Sequence, residues 1–298
     1  MAGFLTSSTA LTVCKVEKAK AFDLDGLRRH AFSPDMDADG KRFGWVGLGD
    51  FLDTEGFELA ASDGRFSGFS FRLDTRKASG AVIRLHLAEA VREETASGKK
   101  VGSKRKKELK EAITAKLTSK AEFVPSVIDC LWDAEKNRFL VASTSVKAVE
   151  PLLELFKASF GMEAVPIMPT ADMPGLFSSI LRGDGHKCSG YTLHAMGSAS
   201  LAASEQAEEK SAVAVQNSLN AVAQALDEGM TIQKLHLVAV SDSDPDWQVD
   251  FTLDSLLAVS ALRLPKPEKG SDEDATFLLN ADTCSIVADL VEDLAKGR

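Results

Sequence analysis

VPSVIDCLWDAEKNRFLVASTSVKAVEPLLELFKASFG, residues 124–161, holds the pattern that decides the fold. VPSVIDCLWD (124–133) and RFLVAS (138–143) are rich in β-branched, leucine and aromatic residues, and the turn AEKN separates them, so they predict a β-hairpin. From Ser145 the apolar residues recur at helical spacing to about Phe160, where Gly161 is placed to end the helix. Pro151 lies inside that pattern and should kink the helix or mark its true start. The order is strand, strand, helix.

Working outward, the same order recurs. ALTVCKV (10–16) predicts a strand, and Asp23 caps a short helix through His30. Gly40 and Gly44 punctuate a loop, followed by strands at FELAA (57–61) and RFSGFSFRL (65–73). The spacing of Phe66, Phe69 and Phe71 is mixed and does not single out one buried face. AVIRLHLAEAVREE (81–94) predicts a helix with Val82, Leu85, Ala88 (or Glu89) and Val91 near one face. A second helix carries Leu109, Ile113 and Leu117 as a buried stripe. Residues 162–190 read as a connection with one short helix near 174–181. Residues 202–210 and 217–228 look helical, and KLHLVAV (234–240) and WQVDFTL (247–253) form another hairpin around SDSDPD. A solvated loop (265–274) and a closing amphipathic helix (282–296) complete an α+β chain of antiparallel hairpins with packed helices. As one chain of 298 residues it divides into approximate halves, 1–165 and 166–298.

The composition is ordinary for a folded protein, with 44% hydrophobic and 27% charged residues. No apolar run approaches the roughly 18 to 20 residues of a membrane span, and MAGFLTSSTALTVCKVEKAK lacks the features of a secretion signal. Cys14, Cys130, Cys188 and Cys284 are scattered without a C-x-x-C pair, which fits reduced, buried thiols in a cytoplasmic protein.

Charge supplies the functional lead. The chain carries a formal net charge of −9, yet seven of the thirteen residues of GKKVGSKRKKELK (98–110) are Lys or Arg; outside them 28 basic residues face 43 acidic ones. With Ser103 as the N-cap, Lys104, Arg105, Lys106 and Lys107 fall in the first helical turn. Cations there oppose the helix dipole by about 0.3–1 kcal/mol each, so the pattern implies an anionic partner or a fully solvated helix end. Only Phe123 follows within stacking range, which argues against stacking on single-stranded bases.

Other patterns are weaker. DMDADG (35–40) opens like a calcium loop, but position twelve is Val46 instead of Glu, so no metal is expected at Asp35, Asp37 and Asp39. His186, Cys188 and His194 lack a fourth zinc ligand. No phosphate-binding glycine loop, nucleophile elbow or carboxylate cluster for Mg²⁺ is present, so no catalytic residue and no cofactor are expected.

AFSPDMDADGKRFGWV (31–46) is similar to a segment of the bacterial recombination-associated RdgC family, with Ala31, Phe32, Pro34, Gly44, Trp45 and Val46 in matching spacing. GKKVGSKRKKELKEAI (98–113) resembles that family's basic linker and helix, LWDAEKNRFLVASTSVKAVEPLLELFKASFG (131–161) its hairpin, helix and closing Gly, and EGMTIQKLHL (228–237) a late strand. Each motif is soft; their order extends over most of the chain.

The resemblance implies a homodimer closed into a ring, threaded by double-stranded DNA without sequence readout, which limits RecA access to DNA. It implies a cytoplasmic, nucleoid-associated protein that is not an enzyme. Lys99, Lys100, Lys104, Arg105, Lys106, Lys107 and Lys110 would then contact phosphates, as would Gln216. The chain departs from the family at three places. MAGFLTSS keeps only Phe4 of the family's Trp-Phe-Lys-Asn start, AVAVQNSL (212–219) has Gln216 and Asn217 but no Lys, and SKAEF (119–123) replaces Pro-Arg-Ala-Phe with its Phe displaced by one position. A divergent member, such as one carried by a phage or mobile element, fits these departures.

Overall fold

A computed structural model describes residues 3–20, 22–35, 41–57, 64–183, 185–202, 213–215, 219–267 and 270–297. Its elements are β1 (Ser8–Glu17), α1 (Leu24–Arg29), β2 (Arg42–Gly47), β3 (Phe66–Arg76), α2 (Gly80–Ala96), α3 (Ser103–Lys120), β4 (Phe123–Asp133), β5 (Arg138–Val141), α4 (Val146–Phe160), β6 (Glu163–Pro166), α5 (Met173–Arg182), β7 (His186–Cys188), β8 (Tyr191–Ala202), β9 (Val213–Val215), α6 (Leu219–Asp227), β10 (Thr231–Ser241), β11 (Gln248–Asp254), β12 (Val259–Arg263) and α7 (Glu273–Ala295). The strands run in the order β2-β3-β4-β5-β1-β12-β11-β10-β8-β7, with β6 on β1 and β9 on β8. The chain forms two compact units. The larger comprises Met1–Ala31, Trp45–Phe71 and Ile128–Arg298, drawing on both halves of the chain; the smaller comprises Phe32–Gly44 and Arg72–Val127.

From Ile128 onward, within the larger unit, the expected order of strand, strand and helix is present. Cys130 to Asp133 of β4 pair antiparallel with Val141 to Arg138 of β5. α4 starts after Ser145 and ends at Gly161, whose φ of 62° is the left-handed conformation a glycine cap supplies. Pro151 neither starts this helix nor ends it, because Val149 N–H already bonds to Ser145 O one turn earlier.

These central strands are covered on both faces, which explains the mixed phenylalanine spacing of β3. Phe69 and Phe71 meet Trp45, at ring-centroid distances of 5.1 and 5.9 Å. Phe139 of β5 stacks on Phe156 of α4 at 4.2 Å, and Trp132 of β4 lies against the same ring. The Trp45 indole N–H donates to Ser159 Oγ at 2.7 Å, which satisfies a polar group that burial would otherwise penalise. On the opposite face Phe66 and Leu140 join the core with Phe277 and Val287 of α7. A Cβ on Gly68 would sit 2.7 Å from both Leu48 and the Phe277 ring, so only glycine permits this approach.

Phe4, which precedes β1, is fully buried. Its N–H donates to Asp129 Oδ2 (3.1 Å) and its carbonyl accepts from Asn280 Nδ2 (2.8 Å).

Several expectations are corrected. Gly44 lies in β2, not in a loop. The 162–190 connection contains β6 and β7 as well as α5, and β8 and β12 are strands that were not foreseen. β5 stops at Val141, α6 covers 219–227, and α7 begins at Glu273, nine residues before the expected start. Asp272 caps α7 by accepting from Ala275 N–H, and this signal lies inside the expected 265–274 loop. Residues 58–61 of the expected 57–61 strand and residues 203–210 of the expected helix at 202–210 lie outside the described residues, and Ala202, the first residue of that helix, instead ends β8. Among the described residues no helix is long and apolar enough to cross a membrane.

All four cysteines are free and buried. Burial pushes the Cys14 and Cys188 thiols up to about 12 and raises those of Cys130 and Cys284 as well. Because the thiolate is the reactive form, the native protein should resist a thiol–disulfide reagent at pH 8 and release four equivalents once unfolded. Fast labelling of any one cysteine in the native state would contradict this packing.

Candidate nucleic-acid interface

The two units differ sharply in charge. The smaller one holds 16 Lys and Arg against 10 Asp and Glu, a formal +6; the larger holds 19 against 34, a formal −15. At 0.1 M salt, charges more than about 10 Å apart are largely screened. What a phosphate meets is therefore set by the charges near it more than by the acidic total of the chain.

The basic stretch is the turn of a helical hairpin, α2–α3. α2 closes in a Schellman motif: Gly98, at φ 80°, donates to Thr95 O, and Lys99 N–H donates to Glu94 O, both at 3.0 Å. That geometry puts Lys99 and Lys100 outside the helix on an exposed turn. α3 follows from Ser103, and its N-cap is Gly102 instead of the expected Ser103. Gly102 has no side chain to cap the first N–H groups of α3, which leaves backbone donors beside Lys104 and Lys106.

The hairpin buries less than its sequence pattern suggests. Neither helix has a fully buried residue. Leu109, Ile113 and Leu117 are half-buried, and on α2 the sheltered face is Ile83, Leu87, Ala90 and Val91. Val82 and Leu85, expected inward, are 41% and 59% exposed. A two-helix hairpin shelters each helix on one side only; on α2 that side keeps Val91 of the expected stripe but takes Ile83 and Leu87 in place of Val82 and Leu85.

The structure separates the basic residues into two kinds. Arg105 braces the hairpin. Its Nε–H lies 3.1 Å from both Glu94 carboxylate oxygens, NH2 lies 2.5 Å from Glu94 Oε1, and NH1 lies 3.1 Å from Glu108 Oε2. These hydrogen bonds raise the Arg105 pKa and hold the Glu94 carboxyl low. Lys107 faces Glu111 at 4.0 Å, with both side chains mostly in water, where such a pair is weak. Lys100, Lys104, Lys106 and Lys110 make no ion pair among the described residues and are exposed. Lys104→Ala is therefore expected to weaken duplex binding and flatten its salt dependence more than Arg105→Ala, because a phosphate must compete with two carboxylates for Arg105. Equal losses in a salt titration of the two variants would show that Arg105 leaves its brace to meet DNA.

The remaining sequence-derived candidates do not assemble with this surface. Gln216 lies outside the described residues, as do Asp37 and Asp39. Asp35 accepts from Ser33 Oγ. His186 and Cys188 sit on β7 and His194 on β8; the Cys188 thiol is directed to Leu290 O. Among the described residues no group of three or more His, Cys, Asp or Glu side chains is placed to hold a metal ion. Three cations of the smaller unit were not foreseen: Arg42, Arg72 and Arg76. They lie in strands, singly or beside one lysine (Lys41 before Arg42, Lys77 after Arg76), and a search for long charge runs passes over them.

A family model described as "Putative exonuclease, RdgC" matches residues 11–291 of the chain. No curated protein matches it.

Proposed function

The chain belongs to the RdgC family, and on that premise we propose that it binds double-stranded DNA without reading its sequence and limits RecA access to that DNA. The observation that carries the reading is the exposed, largely unpaired lysine set on the α2–α3 turn, within a +6 unit of an otherwise acidic chain. Lysines on a backbone-facing surface position a duplex without specifying its bases. Such a protein is expected at the nucleoid in the cytoplasm.

A homodimer ring is part of the proposal. Leu52, Val146, Leu256 and Met168 are 71%, 68%, 62% and 58% exposed, apolar surface that a second copy would cover. Sedimentation should give a dimer at micromolar concentration; a monomer alone would contradict it.

The RecA role is tested by strand exchange. Preloading the duplex with the protein should slow exchange, and the effect should vanish at salt concentrations that dissociate the protein from DNA. Unslowed exchange on a fully bound duplex would overturn that role. The family description also carries an exonuclease reading, which requires Mg²⁺-dependent loss of nucleotides from an end-labelled duplex. We read the protein as non-enzymatic, and retention of the label with Mg²⁺ present is the expected result.

A further inference from the structure

We propose that Arg42 and Arg76, gathered on the ring of Phe123, form a second phosphate-binding clamp for the nucleic-acid backbone, in addition to the lysines of the α2–α3 turn. The inference rests on the duplex-binding reading and extends it to the β-sheet part of the smaller unit.

Three adjacent strands build the clamp. Arg42 opens β2, Arg76 ends β3 and Phe123 begins β4. The Arg42 guanidinium lies 3.9 Å from the Phe123 ring centroid, and the Arg76 guanidinium lies 4.5 Å from the same centroid. A ring face attracts a guanidinium, by about 0.5–1 kcal/mol at exposed sites, and so fixes both side chains in place. It does not neutralise them. Among the described residues neither guanidinium is paired with a carboxylate, and the Arg42 Nε–H is buried with no hydrogen-bond acceptor.

The neighbouring arginine provides the contrast. Arg72 also lies over an aromatic ring, that of Phe32 at 3.9 Å, but it carries its own counter-ion: Nε and NH2 donate to the two oxygens of buried Asp74 at 2.8 and 2.9 Å. Arg72 is thus a closed structural pair. At Arg42 and Arg76 two positive charges share one ring without such a partner among the described residues, and like charges at short range repel. An anion between or beside them removes that repulsion.

Arg76 has one structural duty, donating from NH1 to Ser119 O at the end of α3 (2.6 Å). A guanidinium has five N–H donors, so this bond orients the fork and leaves most of it free. A planar fork held in place by a ring and a carbonyl suits the tetrahedral oxygens of a phosphodiester.

The test is a salt titration of a fluorescent random-sequence duplex against wild type, Arg42→Gln, Arg76→Gln and the double variant, each checked for an unchanged melting temperature. Each single variant should bind about tenfold more weakly at 0.1 M salt and lose about one unit of salt slope, and the double variant about twice that slope. Phe123→Leu keeps both charges but removes the ring that positions them, and should also weaken binding. Folded variants that bind as wild type would overturn the clamp while leaving the lysine turn as the duplex site. If the double variant fails to fold, the exposed Arg76 decides alone by the same criterion. A wild type that binds no duplex would instead overturn the duplex-binding reading, and the clamp with it. Inorganic phosphate, added at constant ionic strength, separates the sources of the anion. A melting temperature that phosphate raises in wild type but not in the double variant, with duplex binding unchanged between them, would mean a free-phosphate site and overturn the backbone assignment.

Discussion

Replacing Lys100, Lys104, Lys106 and Lys107 together by alanine is expected to lower duplex affinity by about three to four orders of magnitude at 0.1 M salt. Each neutralised phosphate releases condensed counterions and contributes about 0.9 to the slope of log K against log[salt], so the slope should flatten by about 3 to 4 per subunit if every lysine makes its contact. All four side chains are exposed, and α3 has no fully buried residue that their loss could unseat. They stand at or near the positive end of the α3 dipole, where each cation costs about 0.3–1 kcal/mol, so the melting temperature should stay level or rise slightly. Arg105 is left out of the set because removing it would also unbrace Glu94 and Glu108. Unchanged affinity and slope in this folded variant would reduce the stretch to a solvated helix end.

Arg138→Ala is expected to destabilise the larger unit by about 3–5 kcal/mol, the usual result of removing one partner of a buried ion pair. The Arg138 side chain is only 5% exposed. It reaches from the start of β5 to α7, pairing with Asp289, with Glu292 at 2.6 Å, and with the Ser285 carbonyl at 3.2 Å. Ser285 in turn donates to buried Asp133 at 2.6 Å, so one network ties the β4–β5 hairpin to the closing helix. Without Arg138 two carboxylates lose their main partner, and Lys136, 3.6 Å from Asp289, replaces only part of it. Thermal unfolding should report a fall on the order of 10 °C. A change within about 0.5 kcal/mol, typical of surface positions, would contradict the network's role.

Arg138 also shows where the sequence was hard to read. RFLV looks like an ordinary buried strand, and nothing in its spacing says that its first side chain crosses to a helix near residue 289. The β4–β5–α4 segment was legible because its signals are local: a short turn, two apolar runs and a glycine cap. β3 was legible as a strand at 65–73 but not in its facing, since a strand covered by α4 on one face and α7 on the other loses the alternation that would mark a single buried face. β6, β7 and β12 are three to five residues long, too short for periodicity to separate them from a loop.

The candidate site was half legible. A run of lysines stands out in any acidic chain, and so the α2–α3 turn was found. That Arg105 is a brace depends on Glu94 lying across the hairpin, eleven residues away, which charge counting does not reveal. Arg42 and Arg76 are separated by 34 positions in sequence and meet only because β2, β3 and β4 are neighbours in the sheet.

The central claim is sequence-independent binding of duplex DNA through phosphate contacts. Its most direct test is the affinity of the wild-type protein for two duplexes of equal length and unrelated sequence, measured across a series of salt concentrations. The account predicts equal affinities at each salt and one shared, steep linear fall of log K with log[salt]. Absence of binding at low salt, or a strong preference for one of the two sequences, would contradict it.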